Sequence, residues 1–218
     1  MTLKLFHAWG SCSLASLIAL EEAGADYELV VMSTKTGDQR TPEYLAVNPK
    51  GRVPALVTPQ GVLTETPAIL SWIPETHPAA GLLPVDAWDR AQAHAFNAYL
   101  ASTVHVAHAH KHRGYRWADE ESSFADMTHK VPENEIACFR LIEDEMFKGP
   151  WVLGADYSVC DGYLFTLFGW LEGDGVDPRQ FARLHEHSAR VAARPAGRKV
   201  LAPAGPKGSR KVLARQAA

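Results

Sequence analysis

Apolar and polar residues alternate over residues 3–8, "LKLFHA", with the period of two of a half-buried strand. The period then lengthens. In "SLASLIALEEAG", Leu14, Leu17, Ile18 and Glu21 fall at i, i+3, i+4 and i+7, one face of a helix that Gly24 can close. "DYELVVM" reads as a second strand, rich in valine. "TPEYLAV" opens with Thr41 as N-cap and Pro42 at the first helical position. "PALVT" and "VLT" flank the turn "PQG" and predict a hairpin. "TPAILSWI" starts another helix, with Thr66 as N-cap and Pro67 at N1. The order is β-α-β-α-β-β-α. Pro74 then predicts that this helix ends or kinks near Ile73, because an interior proline removes a hydrogen bond and clashes with the turn before it.

The pattern changes at "ETHPAAGLLPVDAWD", whose prolines and glycine mark a linker over residues 79–87. Beyond it every periodic segment is helical. Asp86 can cap a long helix through "AWDRAQAHAFNAYLASTVHVAHAHKH". A second helix is expected after Pro132, in "ENEIACFRLIEDEMF". A third follows "YSVCDGYLF", where Ser158 and Asp161 have capping-box spacing. "PRQFARLHEHSARVAA" is the last. The chain thus reads as an α/β domain over 1–78, an all-α domain over 88–202, and a basic, fraying tail over 203–218.

Composition narrows the class. A chain of 218 residues, 46% apolar and 22% charged, can bury a sizeable core. A net charge of −3 gives no general reason for a nucleic-acid partner. No apolar run approaches membrane-spanning length, and the N-terminus lacks a signal-like core, so no membrane partner is expected. The three cysteines, Cys12, Cys138 and Cys160, are odd in number and far apart. That favours a reducing, cytoplasmic setting over a disulfide framework.

Chemistry concentrates in three short stretches. In "WGSCSLAS" Cys12 precedes a helix, where unpaired N–H groups and the helix dipole favour thiolate, and Ser11 and Ser13 can add hydroxyl donors. The other reading is a buried, inert thiol. In "NPKGRVPAL" Gly51 allows a bend and Pro54 opens a strand. In "LTETPAIL" a helix start that can take a carboxylate adjoins Glu65, which can take an ammonium group; together they suit an amino-acid zwitterion. Ordinary capping explains the same residues. Cys138 and Cys160 read as packed, structural thiols. His94, His108, His110 and His112 join His105 on the long helix, and His105, His108 and His112 share a face at metal-ligand spacing. No carboxylate or cysteine partner completes such a set, so cleft-lining histidines are the preferred reading and no metal is expected. "RGYRW", residues 113–117, reads as surface packing or as a rim for an anionic or aromatic substrate.

Taken together these motifs resemble the glutathione transferase family across nearly the whole chain. The resemblance implies a thioredoxin-like N-terminal domain plus an all-α C-terminal domain. "FHAWGSCSLAS" is similar to the bacterial Beta-type subgroup, in which a cysteine replaces the usual tyrosine or serine. It implies glutathione as co-substrate, its cysteinyl backbone pairing with Val53 before a cis Pro54. Its γ-glutamyl end would meet Glu65 and Thr66, and its glycyl carboxylate Lys35 or Arg52. Cys12, with Ser11 beside it, would face the glutathione sulfur, and His105 would match the subgroup's histidine. His7 stands where a tyrosine often sits. Ala98, beside Asn97, departs from the polar residue of similar proteins. The implied activity is detoxifying conjugation of glutathione to a hydrophobic electrophile, or thiol–disulfide exchange through Cys12, in a homodimer. The alternatives are a non-catalytic ligand-binding or protein-interaction module of the same fold, favoured by Pro74, and a histidine-metal protein.

Overall fold

The computed structural model describes residues 2–202 together with residues 211 and 212. The chain divides into two compact units: residues up to Leu83 with those from Ala192 onward, and Pro84–Val191.

The first unit is built on a mixed sheet. Strand β1 (Leu3–His7) pairs in parallel with β2 (Tyr27–Val31), in the register Leu5↔Leu29. Helix α1 (Ser13–Glu22) makes the crossover between them. Helix α2 (Pro42–Val47) leads to the hairpin of β3 (Ala55–Thr58) and β4 (Gly61–Thr64), and β3 runs antiparallel to β1. Residues 211 and 212 add in parallel beyond β2, giving the order β4-β3-β1-β2-β5, with β5 Lys211–Val212. The rest of the expected tail, 203–210 and 213–218, lies outside the described residues.

Local sequence explains these elements. Thr41 caps α2 by accepting from the Tyr44 N–H, as its position before Pro42 predicts. Gly24 ends α1 at φ +63, where Ala25 N donates to Leu20 O. One departure is that α1 is buried on almost every side rather than along one stripe. Helix α3 (Thr66–Thr76) packs on it, and so does α9 (Pro195–Leu201). Arg194 grips Glu22 through two nitrogens at 2.6 and 2.8 Å, and Lys199 reaches Glu21 at 2.5 Å. The helical domain, expected to run to residue 202, therefore ends at Val191, and α9, a helix the sequence pattern did not predict, joins the first unit.

Two expectations about α3 need correction. Of the two outcomes expected at Pro74, an end or a kink near Ile73, the end falls three residues later, at Thr76. The proline sits in the last turn and forfeits one bond, while Leu70, Ile73 and Pro74 itself are buried. His77 N closes the end on Ile73 O, and the Thr76 hydroxyl donates to Trp72 O. At the other end Glu65, not Thr66, is the N-cap. Thr66 is the first helical residue and Pro67 the second.

The second unit is helical. Asp86 caps α4 (Ala87–Tyr99) through Trp88 N and Asp89 N. A π-turn at Leu100–Val104 joins it to α5 (His105–Arg113). Helix α6 (Glu121–Leu141) starts eleven residues before Pro132 rather than after it. Its packing along α5 outweighs the roughly 3 kcal/mol that an interior proline costs. Helix α7 (Val159–Phe168) has the complete capping box of Ser158 and Asp161, and α8 (Ala182–Ala193) follows. The buried Asp161 also accepts from Val152 N at 2.8 Å and lies 2.9 Å from His187 Nε2. The expected thioredoxin-like α/β part and all-helical part are both present.

Candidate functional site

The first unit gathers three loops near the start of α1. Cys12 is the N-cap of that helix and is 8% exposed. Its Sγ lies 3.6 Å from Val53 O, directed as a thiol donor. The Val53–Pro54 bond is cis, as the resemblance implies. So the cysteine and the backbone of the residue before Pro54 are brought together from 41 residues apart.

The serines beside Cys12 are engaged elsewhere. Ser11 Oγ donates to Ala8 O at 2.8 Å and lies 2.7 Å from Ser13 Oγ. Ser13 Oγ lies 2.8 Å from His7 Nδ1 and accepts from Ala8 N. His7 is fully buried, its Nε2 has no hydrogen-bond partner, and desolvation lowers its pKa to about 4. At neutral pH it is an uncharged residue tied to the helix start through Ser13.

The loop from Asn48 to Val53 is clamped at both ends by one side chain. Asn48 Oδ1 accepts from Lys50 N at 3.2 Å, and Asn48 Nδ2 donates to Arg52 O at 2.7 Å. The Tyr44 hydroxyl donates to the same carbonyl at 2.6 Å. The Arg52 side chain itself is exposed, as is Lys35 in the turn after β2. Gly51, at φ +59, leaves room that a Cβ would fill against Arg40 Nη1 and Gln39 O. Arg40 is thus a cation near this loop that sequence reading passed over.

The third loop carries Glu65 at φ +73, an unusual conformation for a non-glycine residue. Its Oε1 is held by Lys50 Nζ at 2.5 Å, and the same ammonium donates to Thr64 Oγ1 at 2.8 Å. Thr66, buried, offers a first-turn N–H of α3. Lys50 was visible in "NPKGRVPAL" but carried no sign of its partner, because the pairing is tertiary.

In the second unit His105 opens α5, directly after the π-turn, and packs edge-on against Trp170 at 5.1 Å. His108 stacks on Trp170 at 4.2 Å, and its Nδ1 lies 2.6 Å from Asp174 Oδ2. His112 is exposed, so the face of three histidines does not converge. Among the described residues no group of three or more His, Cys, Asp or Glu side chains could hold a metal ion. In "RGYRW", Trp117 stacks on His110, and Arg116 lies over the Tyr115 ring. Asn97 is buried and Ala98 exposed. Cys138 and Cys160 are buried, and desolvation raises both thiol pKa values, that of Cys160 to about 12. Among the described residues no helix is long and apolar enough to cross a membrane.

A thioredoxin-like unit with a cysteine at its first helix start and a cis-proline opposite, followed by a helical unit, defines the class of glutathione-transferase-fold proteins. Comparison with known proteins agrees. The model of the glutathione S-transferase N-terminal domain matches residues 1–75. The chain is 30% identical over 196 residues to glutathione S-transferase GstA of Escherichia coli O157:H7, covering 88% of this chain and 94% of that protein. It is 31% identical over 203 residues to a maleylacetoacetate isomerase of Pseudomonas aeruginosa, covering 90% and 94%. A solved glutathione transferase homologue from Sulfitobacter, with bound glutathione, superposes with a TM-score of 0.89 at 46% identity, covering 91% and 96%. The chain belongs to the glutathione S-transferase family.

Proposed function

We propose that this protein is a glutathione-dependent transferase in which Cys12 reacts with the glutathione sulfur. The observation that carries this is Cys12 Sγ lying 3.6 Å from the carbonyl of Val53. An extended peptide pairing with Val53 as an added strand would bring its own cysteine to that place. Glutathione bound to the Sulfitobacter relative supports the same ligand here. Val53 and Pro54 would hold the cysteinyl backbone, Glu65 and Thr66 the γ-glutamyl end, and Lys35, Arg52 or Arg40 the glycyl carboxylate. Ser11 sits beside the reacting thiol.

The exchange chemistry balances simply. The Cys12 thiolate attacks the glutathione sulfur of a mixed disulfide RS–SG. The S–S bond breaks, RS⁻ leaves and takes up a proton, and Cys12–S–SG remains. A glutathione thiolate then attacks that bond, giving glutathione disulfide and regenerating the Cys12 thiolate. Conjugation uses the bound glutathione thiolate directly on an electrophile. A hydrophobic second substrate, a homodimeric state and a proton-transfer role for His105 complete the proposal.

The test compares Cys12→Ala with the parent protein. Glutathione-dependent disulfide reduction should fall at least about a hundredfold while calorimetry still shows glutathione binding. Unchanged turnover would remove Cys12 from the chemistry. His105→Gln should lower turnover and leave glutathione binding unaltered. A second reading, glutathione-dependent isomerisation of an unsaturated acid, is favoured by the likeness to the Pseudomonas isomerase. It predicts turnover without net consumption of glutathione. Pro74 lies inside α3, which runs on to Thr76, and gives no support to a non-catalytic module.

A further inference from the structure

We infer that Lys50 is a specificity-determining residue at the γ-glutamyl end of this site, making it select an amino-acid zwitterion over a lone ammonium group. The inference rests on the glutathione reading above and adds a residue to it.

Lys50 joins the two segments that would grip the peptide. Its backbone N–H is fixed by Asn48 Oδ1, within the loop whose far end carries Val53. Its ammonium reaches across to Glu65 Oε1 and Thr64 Oγ1. Glu65 is the acid expected to receive the ligand ammonium. A cation of the protein already sits on that acid.

The geometry still leaves room for both charges of a ligand. An ammonium has three donors, and two of those on Lys50 are used. Glu65 is engaged through Oε1, and its side chain is 58% exposed, which leaves Oε2 open to an incoming ammonium. The third Lys50 donor and the first-turn N–H of Thr66 both favour a carboxylate. An α-amino acid carries its ammonium and carboxylate on one carbon. The site matches that pair: Glu65 Oε2 for one charge, Lys50 and the start of α3 for the other.

Charge balance then sets selectivity. Without Lys50, Glu65 would stand alone and attract any cation. With Lys50 present, a ligand bearing only an ammonium competes against a resident one, while a ligand bearing only a carboxylate meets a cation. Lys50 therefore disfavours amines that lack the carboxylate.

The test uses the full-length protein and S-methyl peptides, which cannot form disulfides with Cys12. Three are compared by calorimetry: S-methylglutathione, its analogue lacking the α-amino group, and its analogue lacking the α-carboxylate. In Lys50→Met the deaminated peptide should bind about threefold more weakly and the decarboxylated one about threefold more tightly, so that the ratio of their Kd values swings about tenfold. Lys50→Arg should keep the ratio near that of the parent. A ratio unchanged within twofold in Lys50→Met would overturn the inference and leave Lys50 as a tie between two loops. Failure of the parent protein to bind any of the three would overturn the glutathione reading and this inference with it.

Discussion

Among the described residues two helix starts carry a cysteine, one at the N-cap and one in the first turn, and their fates differ. Cys12 is the N-cap of α1, with no side-chain cap bond at that end. Cys160 is the second residue of α7, where Ser158 and Asp161 form a full capping box. Cys160 is wholly buried, its Sγ donates to Ala93 O at 3.5 Å, and burial pushes its thiol up to about 12. A helix dipole therefore does not by itself make a thiolate. At α7 the Ser158 hydroxyl already takes the Cys160 N–H, and desolvation dominates. At α1 the cysteine stands at the edge of a loop cluster, against a backbone carbonyl that a peptide could share.

The largest expected effect comes from breaking the capped end. Asp161→Ala would strand Val152 N, Ser158 N and His187 in the core. Stability should drop by about 3–5 kcal/mol, read as a fall in Tm of roughly 10 °C. A loss within about 1 kcal/mol would show that the two helix starts are not distinguished by capping.

The next effect separates the units by pH. His7, in the first unit, has its pKa lowered by burial to about 4. Below its ordinary value of 6.5 the unfolded chain takes up a proton that the folded chain refuses. Stability is therefore lost as pH falls from 6.5 toward 4, by about 3 kcal/mol. Glu135, in the second unit, is raised from 4.5 to about 8, chiefly by burial and then by the Asp174 charge. Here the unfolded chain has released a proton that the folded chain keeps. Stability is lost as pH rises from 4.5 through 8. Chemical unfolding across pH should show His7→Gln flattening the acid limb and Glu135→Gln the alkaline one. Slopes untouched by both variants would refute the assignment.

Asn48→Ala should act more locally. It frees Lys50 N and leaves Arg52 O held by the Tyr44 hydroxyl alone, costs about 1–2 kcal/mol, and should raise the KM for glutathione roughly tenfold with a smaller change in kcat. An unchanged KM would mean that this loop does not hold the peptide. The smallest effect belongs to Pro74→Ala. Since α3 already continues past the proline, stability should change by less than about 1 kcal/mol.

These contrasts show what the chain's pattern reveals. The strands, the hairpin and the caps at Thr41, Asp86 and Ser158 follow from period and turn chemistry, which are local. Cys12, Val53, Pro54 and Glu65 lie in motifs with the same local character. What was hidden depends on partners distant in sequence. Pro132 looked like a helix start because propensity says so, yet packing of α6 on α5 carries the helix through it. Lys50 meets Glu65 only because the hairpin folds back. Burial makes His7, which stands where a tyrosine often sits in similar proteins, an uncharged prop for Ser13. Helix α9 belongs with the first unit through Glu21 and Glu22, whose partners Lys199 and Arg194 lie 178 and 172 residues away in sequence.

The most direct test of the central claim sets the three cysteines against one another. The purified protein is incubated with glutathione disulfide, and its intact mass and peptide map are recorded before and after reduction. The account predicts one glutathione per chain, located on Cys12, removed by reductant and absent in Cys12→Ser. An adduct on Cys138 or Cys160, or an adduct that persists in Cys12→Ser, would contradict it.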